Sequence, residues 1–478
     1  MQIDLFGSLP LVVIWLALGA IGILIQAFVR ENTRLVYGYY MGTLALTAVL
    51  AIVTSGHKGT SFNDMITMGG YAAYFDVLFC GAGIMTLLAA RPYLRREGAE
   101  YDEFYTLLVS AVSGMMFMAH ANNLLVLFIG IELMSISFYV LAGFLRTNIR
   151  SIEASLKYFL LGAFATGFLV YGMGLVYGST TSLQYDVIAG AIRAGAVQFP
   201  TLLVVGSVLL TIGLSFKIAA FPFHQWTPDV YEGAPTVVTA FMSTAGKAAA
   251  FSALIPVFMA ILPMGAATPN GANIQMMLAV VSAITMLVGN ITAVVQTNVK
   301  RMLAYSSVAH AGYLLMGIVA GTSDGFAAII YYVTAYTFMQ LGAFVIVGII
   351  ERENGRNLDL ADYAGLNRRH PVLAALMAIF MFSLAGIPPF GGFFGKYLLF
   401  ITAIETGFTW LTIIAVVSSV ISVFFYLGLV VKMYFNEPTG EGEDSEPGLA
   451  GITLLVSTVG VIVLGIFPSL LLNIFKTW

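Results

Sequence analysis

Long apolar segments recur along the whole chain and constrain its fold more than any single motif does. We count fourteen segments of about 17 residues or more, separated by polar or Gly/Pro-containing connections. They begin near Pro10, Leu35, Ala72, Phe104, Leu124, Ile152, Thr201, Pro235, Ile274, Leu303, Phe326, Pro371, Trp410 and Ala450. Only 9% of the residues are charged, whereas a soluble globular protein carries about 25%. The sequence therefore predicts an all-α polytopic membrane protein with about 14 transmembrane helices.

The composition also limits the chemistry that this chain can carry alone. It contains one cysteine, Cys80, and a single thiolate cannot hold an iron–sulfur cluster. No Gly-rich nucleotide-binding loop follows a predicted strand, and a net charge of -3 is too small to indicate a nucleic-acid partner. The N-terminus lacks the basic segment of a signal peptide, which favours a first transmembrane helix. We expect no cofactor-binding and no metal-binding residues in this chain.

The positions of the basic residues predict the orientation of the chain in the membrane. Cytoplasmic connections collect Lys and Arg. Of the 21 basic residues, fifteen fall in the odd-numbered connections, Lys300 among them, and three fall in the others. This distribution predicts that both termini lie on the non-cytoplasmic side. The three lysines that remain, Lys217, Lys247 and Lys396, fall inside or beside apolar segments.

These three lysines form a set of intramembrane charges together with Glu132 of the fifth segment. A lysine near the bilayer centre costs about 2.5–3.5 kcal/mol on insertion scales, so we expect the set to be functional. The alternative is snorkelling to the headgroups or a structural ion pair. Lys247 lies too near the middle of its segment to snorkel easily, whereas Lys217 and Lys396 lie beside helix breaks and could satisfy freed carbonyl groups.

Proton transfer needs side chains of this kind. Desolvation favours the neutral form of a lysine, and a nearby carboxylate favours the charged form. At an effective dielectric constant of about 20, two charges about 4 Å apart interact by about 4 kcal/mol. Moving one charge against about 100 mV takes only about 2.3 kcal/mol. A change in the distance between Glu132 and Lys217 could therefore make a neighbouring lysine take up or release a proton.

Two segments are interrupted by proline and glycine, and both interruptions lie near a lysine. The seventh ends at Phe221-Pro-Phe-His224, and the twelfth contains Gly386-Ile-Pro-Pro-Phe-Gly-Gly-Phe-Phe-Gly-Lys396. If helices four to eight and nine to thirteen form two units, each broken helix is fourth in its unit and the second unit is inverted. We expect four parts: residues 1–103 (helices 1–3), 104–262 (first repeat), 263–434 (second, inverted repeat) and 435–478 (an acidic loop and helix 14).

The histidines divide into two groups by their positions. His224 lies at the first break and could either relay a proton or cap exposed carbonyl groups. His310 has Tyr and Ser neighbours that could order water, which favours a proton relay over a core histidine. The remaining residues, for which we expect only structural roles, fall in connections (His57, His120 and His370) or near segment ends where a carboxylate can reach headgroups or water (Asp76 and Glu405).

Three long motifs occur in order along the chain and resemble one known family. They are Trp226-Thr-Pro-Asp-Val-Tyr-Glu-Gly-Ala-Pro-Thr-Val-Val-Thr-Ala-Phe241 with Lys247, Lys300-Arg-Met-Leu-Ala-Tyr-Ser-Ser-Val-Ala-His-Ala-Gly-Tyr313, and Leu384-Ala-Gly-Ile-Pro-Pro-Phe-Gly-Gly-Phe-Phe-Gly-Lys396. The chain is similar to the antiporter-like membrane subunits of respiratory complex I, the bacterial NADH-quinone oxidoreductase. The resemblance implies a place in the bacterial inner membrane, beside other membrane-arm subunits and further antiporter-like subunits.

The resemblance also implies roles for the intramembrane charges. Glu132 and Lys217 would match the family's ion pair, Lys247 its central proton-carrying lysine, and Lys396 the residue of the second half-channel. His224 and His310 would lie on the hydrated axis between them. Such an enzyme oxidises NADH, reduces a quinone and pumps protons, and other subunits would carry its FMN and iron–sulfur clusters. A subunit of a multi-subunit cation/proton antiporter is the alternative, and a structural spacer is a third hypothesis.

Overall fold

The computed structural model describes residues 4–29, 32–261, 271–352, 358–438 and 447–475. Of the basic residues counted above, Arg30, Arg356 and Lys476 lie outside the described residues, as does most of the predicted acidic loop (residues 439–446). The described chain is almost entirely helical. Helices begin within five residues of each predicted segment start, and the largest difference is between Pro10 and Leu5.

The helices are numbered here in chain order. They are α1 (Leu5–Leu16), α2 (Ile23–Phe28), α3 (Thr33–Thr54), α4 (Gly70–Arg96), α5 (Asp102–His120), α6 (Leu124–Ala142), α7 (Ile149–Thr180), α8 (Tyr185–Arg193), α9 (Pro200–Ile218), α10 (Trp226–Gly233), α11 (Thr236–Phe241), α12 (Lys247–Ile261), α13 (Gly271–Val294), α14 (Val299–Ala320), α15 (Ser323–Ile350), α16 (Leu366–Arg369), α17 (Pro371–Ala385), α18 (Gly391–Glu405), α19 (Thr409–Phe435), α20 (Ala450–Ile466) and α21 (Ser469–Phe475). Two π-helical stretches, Ala17–Gly22 and Met242–Gly246, and a 3₁₀ turn, Leu360–Tyr363, complete the helical structure of the described chain.

Eleven helical segments within the described ranges are long and apolar enough to cross a membrane. The shorter helices α17 and α20 are also apolar. Several of the eleven expose large apolar side chains along their length, such as Phe164 and Tyr171 of α7. Because exposed apolar surface of this extent is stable only in a lipid environment, the chain is a multi-pass membrane protein, as predicted.

Helices α14 and α15 form the centre of the bundle. In each, 94% of the most apolar stretch is buried inside the protein, against 33% in α7. Helix α14 packs against α13, α15, α10 and α18, while α15 packs against α17, α18 and α20. The polar side chains of α14 therefore face protein rather than lipid.

Both predicted interruptions are present. Helix α9 ends at Ile218, where Ala219 adopts a left-handed conformation (φ 61°), and α10 begins only at Trp226. Helix α17 ends at Ala385. The next residue, Gly386, has a φ of 86°, a conformation that favours glycine, and α18 begins at Gly391. Prolines in both loops lack the N–H group that would continue the helix. Each interruption therefore leaves carbonyl groups of the preceding helix without helical partners.

A short hairpin is the one departure from the all-α prediction within the described residues. Strand β1 (Gly59–Ser61) pairs antiparallel with β2 (Ile66–Met68). The turn holds Phe62, Asn63 and Asp64 at positive φ values of 52°, 56° and 63°. Asn and Asp tolerate this region best among residues with side chains, and Thr and Ile favour the flanking strands. The connection between α3 and α4 is therefore ordered rather than an irregular loop.

Candidate functional site: a buried line of ionisable and hydroxyl groups

Lys247 lies in the middle of the bundle, directly after the π-helical stretch Met242–Gly246. Its side chain is 3% exposed. Its Nζ donates to the Ser307 hydroxyl of α14 at 2.6 Å and to the backbone carbonyl of the same residue. The ring of Tyr336 on α15 lies 5.5 Å away. Lys247 is thus enclosed by protein, and π-helical turns often occur at functional positions of this kind.

His310 lies one turn beyond Ser307 on α14, and both of its ring nitrogens contact hydroxyl groups. Nδ1 lies 2.6 Å from the Tyr332 hydroxyl, and Nε2 lies 3.1 Å from the Tyr426 hydroxyl. The Tyr426 hydroxyl also contacts Ser306. A neutral imidazole bonded at both nitrogens can accept a proton on one and release a proton from the other. These contacts suit a relay.

Lys396, in the second turn of α18, is 4% exposed. Its Nζ donates to the carbonyl oxygens of Leu384 and Ala385 at 3.1 and 3.0 Å, and to the Ser419 hydroxyl at 3.0 Å. Both carbonyls belong to the last turn of α17, where the break removes their helical donors. Lys396 therefore satisfies freed carbonyl groups. The same ammonium lies 4.9 Å from the Tyr313 ring of α14.

One face of α14 connects the surroundings of Lys247 with those of Lys396. Ser307, His310 and Tyr313 are spaced by three residues, so they share a face and span about 9 Å along the axis. Lys247 bonds to the first of them, and Lys396 lies beside the ring of the last. The structure thus brings Lys247, His310 and Lys396 together around one helix.

Glu132 and Lys217 form a separate cluster between α6, α7 and α9. Glu132 accepts a hydrogen bond from Thr166 at 2.8 Å and is near enough to act electrostatically on Lys217. The Lys217 Nζ donates instead to the Ser135 hydroxyl at 2.7 Å. Ser135 follows Glu132 by three residues, so both face the lysine from the same side of α6. The two charges are neighbours that are not in direct contact.

His224 lies in the loop between α9 and α10, apart from the line on α14. Its ring stacks on Phe221, with the ring centroids 5.7 Å apart. Its buried Nδ1 has no hydrogen-bond partner within the described ranges. Relay and carbonyl capping were both open for His224, and its ring position leaves one nitrogen available to a water molecule.

The sequence did not identify the hydroxyl groups that complete the site. Tyr332 and Tyr426 bond to His310, and Tyr313 lies beside Lys396. Ser419, from α19, bonds to Lys396. For Tyr313 the signal was present in the three-residue spacing of polar residues on α14. The other residues come from helices distant in sequence, and no local pattern could place them.

Two expectations about polar residues were wrong. His120 was placed in a connection and Asp76 near headgroups or water, but His120 ends α5 and Asp76 is fully buried in α4. They form a pair with Nε2 and Oδ2 2.8 Å apart, and His120 Nδ1 contacts the Thr67 carbonyl at 2.7 Å. The hairpin covers the pair through the Thr67 carbonyl. The sequence of uniformly apolar helices does not show which of their polar residues will be buried in this way.

Lys300 was counted among the residues of a cytoplasmic connection, and it is in fact 1% exposed in the first turn of α14. Its Nζ donates to the Ala234 carbonyl at 2.7 Å and lies 4.0 Å from Glu351 at the end of α15.

The described residues contain no group of three or more His, Cys, Asp or Glu side chains that could hold a metal ion.

The fold and this line of buried groups define a multi-pass helical membrane protein with the architecture of ion-translocating subunits. The chain belongs to the family described as NADH:quinone oxidoreductase/Mrp antiporter, TM, whose profile matches residues 121–422. It is 47% identical over 416 residues, 86% of each chain, to NADH-quinone oxidoreductase subunit N 1 of Chloroherpeton thalassium.

Solved structures agree with this membership. A chain of respiratory complex I from Thermus thermophilus with bound aureothin superposes with a TM-score of 0.83 at 33% identity, over 97% of this chain and 98% of that one. A chain of the Mrp complex from Dietzia sp. DQ12-45-1b superposes with a TM-score of 0.84 at 21% identity, over 99% and 95%. The second likeness shows the fold alone.

Proposed function

We propose that this chain is a proton-translocating membrane-arm subunit of an NADH-quinone oxidoreductase, the equivalent of subunit N in its bacterial relatives, and that protons move from Lys247 to Lys396. The relatives' names and the complex I likeness support the enzyme. The observation that carries the proton path is the face of α14, where Ser307, His310 and Tyr313 lie between two buried lysines.

Each step of the proposed path uses a group that can both accept and donate a proton. A proton on the Lys247 Nζ is shared with the Ser307 hydroxyl, from which it moves toward His310. His310 takes it on one ring nitrogen and gives one up from the other, to a tyrosine hydroxyl. Tyr313 and water at its end of the line pass it to Lys396. One proton enters and one leaves, so each relay group keeps its number of protons. The His310 tautomer and the hydroxyl orientations then reset before the next proton passes.

Glu132 and Lys217 set the proton affinity of the path in this proposal. When the Glu132 carboxylate moves toward or away from Lys217, it changes the net positive charge at that position. The change alters how strongly the position opposes protonation of Lys247. The interaction is large enough, at about 4 kcal/mol for charges about 4 Å apart. Redox chemistry in other subunits, which carry the FMN and iron–sulfur clusters, would drive the movement. The subunit works as one member of a hetero-oligomeric membrane arm, beside further antiporter-like subunits.

The proposal also includes the number of membrane crossings, the inverted repeats and the orientation of the termini. We propose fourteen crossings, with residues 104–262 and 263–434 as two inverted five-helix repeats after residues 1–103 and before 435–478. The breaks after Ile218 and Ala385 support this, because each falls in the fourth helix of its unit. We also propose that both termini face away from the cytoplasm, on the distribution of basic residues.

Lys247→Ala tests the proposed function. In inside-out membrane vesicles containing the assembled complex, NADH-driven proton pumping should fall by about tenfold or more, since a positioned proton-transfer group contributes about 10²–10⁴ to a rate. The control is Lys58→Ala, which removes an exposed lysine outside the helices. The amount of assembled complex is measured by native gel in both. Undiminished pumping with Lys247→Ala would contradict the proposal and favour a structural spacer.

The alternative, a subunit of a cation/proton antiporter without a redox partner, is supported by the fold likeness to the Mrp chain only. Purification of the native complex separates the two. Flavin and iron–sulfur subunits should co-purify with this chain. Small membrane subunits alone, together with sodium-dependent proton exchange, would favour the antiporter.

A further inference from the structure

The buried pair of Lys300 and Glu351 has no part in the path described so far. Lys300 is 1% exposed and Glu351 is 4% exposed. The Glu351 carboxylate lies 2.5 Å from the Thr236 hydroxyl, in the first turn of α11, the helix that leads to Lys247. Burying two charges is costly, and a structural tie between helix ends does not require it. Because the pair contacts the first turn of the helical segment that leads to Lys247, it could supply protons to that lysine.

Two cavities are lined by residues that are close neighbours of the pair and of its hydrogen-bond partners. One, of about 220 Å³, is lined by Glu232, Gly233 and Arg301, which adjoin Ala234 and Lys300 along the chain. The other, of about 180 Å³, is lined by Tyr93, Val237 and Ile349, which adjoin Thr236 and Glu351. Each has room for several waters. Both lie at the helix ends where the basic residues predict the cytoplasm, so water from that side comes within a residue or two of the pair.

Gln340 lies between this pair and Lys247. It is fully buried on α15, and its Nε2 donates to the Leu303 carbonyl at 3.4 Å. Leu303 is three residues after Lys300 and four before Ser307, so Gln340 lies at the middle of the interval of about 10 Å on α14. The Gln340 Oε1 has no hydrogen-bond partner among the residues that the structure describes. A buried amide oxygen of this kind is usually satisfied by water.

We propose that Glu351 and Lys300 form the proton-uptake site of this subunit and that Gln340 holds the water which carries the proton on to Ser307 and Lys247. Glu351 takes a proton from cavity water, passes it to the Gln340-bound water and returns to its charged form. Lys300 keeps its proton and holds the carboxylate in place. The inference rests on the proposed function, because it supplies Lys247.

Other titratable groups surround the pair and set the conditions for uptake. Those that act on the pair or on a group beside it are Tyr93 and Arg96 of α4, Glu97 directly after α4, Arg150 of α7, Glu232 of α10, and Tyr363 of the 3₁₀ turn with its neighbour Asp362. Three of these groups are acids and two are arginines. A positioned proton acceptor matters most when protons outside are scarce, so uptake through Glu351 should limit pumping mainly at high pH.

The test is the pH profile of pumping in inside-out vesicles, whose outer medium is the cytoplasmic side. Glu351→Gln should slow NADH-driven pumping about tenfold at an outside pH of about 8.5 and much less at about 6, because it removes a positioned proton acceptor. Gln340→Leu, which keeps the volume and removes the amide, should show the same pH-dependent loss. Glu351→Asp should restore part of the rate. The matched control is Glu437→Gln, which removes an exposed carboxylate and should leave the profile unchanged.

The outcomes separate this inference from the proposed function. If Lys247→Ala abolishes pumping at every pH while Glu351→Gln and Gln340→Leu give the wild-type profile in assembled complex, uptake occurs elsewhere and the proposed function stands. If Lys247→Ala pumps normally, the proposed function itself fails. A uniform loss at all pH values, equal in Glu351→Gln and Glu351→Asp, would show a structural role for Glu351 and overturn its assignment.

Discussion

The two helix breaks use a lysine in different ways. At the first, Lys217 bonds to the Ser135 side chain and has Glu132 as a neighbouring acid. At the second, Lys396 bonds to two backbone carbonyls and to Ser419, and no described Asp or Glu forms an ion pair with it. The first lysine is held by side chains that can move, whereas the second is held by the backbone.

The different ways in which Lys217 and Lys396 are held suit two different roles in pumping. A charge whose neighbours are side chains on another helix responds when that helix shifts, and Lys217 has such neighbours on α6. A charge fixed by the carbonyls of its own broken helix keeps its position. We infer that the first break receives the signal that drives pumping and that the second provides a fixed site for release. Three changes test this contrast, in order of expected effect.

Lys396→Met should have the largest effect on assembly. It removes the donor for the Leu384 carbonyl and one of two donors for the Ala385 carbonyl, which also accepts from the Ser419 hydroxyl at 3.3 Å. A buried acceptor left unsatisfied, here that of Leu384, costs about 1–3 kcal/mol. Native gels should therefore show less assembled complex. Lys217→Met is the matched control: it removes one bond to Ser135, whose hydroxyl still donates to the Ile131 carbonyl at 2.5 Å. Equal loss of complex from both changes would contradict the contrast.

Glu132→Gln should leave assembly intact and reduce coupled pumping several-fold. The change keeps the acceptor for Thr166 and removes the charge that acts on Lys217, an interaction of up to about 4 kcal/mol at close range. The measurement is the ratio of protons pumped to NADH oxidised in vesicles. Thr166→Val serves as the control for the hydrogen bond alone. A normal ratio with Glu132→Gln would show that the first break needs no acid.

The smallest effects should come from the serines that bond to each lysine. Ser135→Ala removes the Lys217 bond at 2.7 Å, whereas Ser419→Ala leaves Lys396 with two carbonyls. A typical hydrogen bond contributes about 1 kcal/mol, or a factor of about five in rate, so only Ser135→Ala should slow pumping measurably. A larger loss from Ser419→Ala would reverse the assignment of the two breaks.

The sequence predicted the helix positions well because the length and apolar composition of a membrane segment identify it. The starts at Leu124, Pro371 and Ala450 match the helix starts, and proline and glycine marked both breaks. The central position of Lys247 also followed from counting along its segment. These features depend on the local chain alone, which is why they could be read without a structure.

Features that depend on which face of a helix meets protein were not predictable. The long membrane-spanning helices are apolar on nearly all sides, so periodicity does not separate protein contacts from lipid contacts. The sequence therefore placed His120 and Lys300 in connections, although both are buried. The contacts of His310 with Tyr332 and Tyr426 join residues 22 and 116 positions apart. Only the packed bundle defines them.

The π-helical stretch Met242–Gly246 has a consequence for how the chain can vary in length. A π-helical turn amounts to one extra residue inserted in an α-helix. Deleting one residue between Met242 and Gly246 would restore a regular α-helix and leave Lys247 facing Ser307, because the wide turn already accommodates the extra residue. A second deletion, with no wide turn left to absorb it, would rotate Lys247 by about 100° relative to Thr236 and turn its ammonium away from Ser307. The wide turn therefore lets this segment lose one residue, but not two, without moving Lys247.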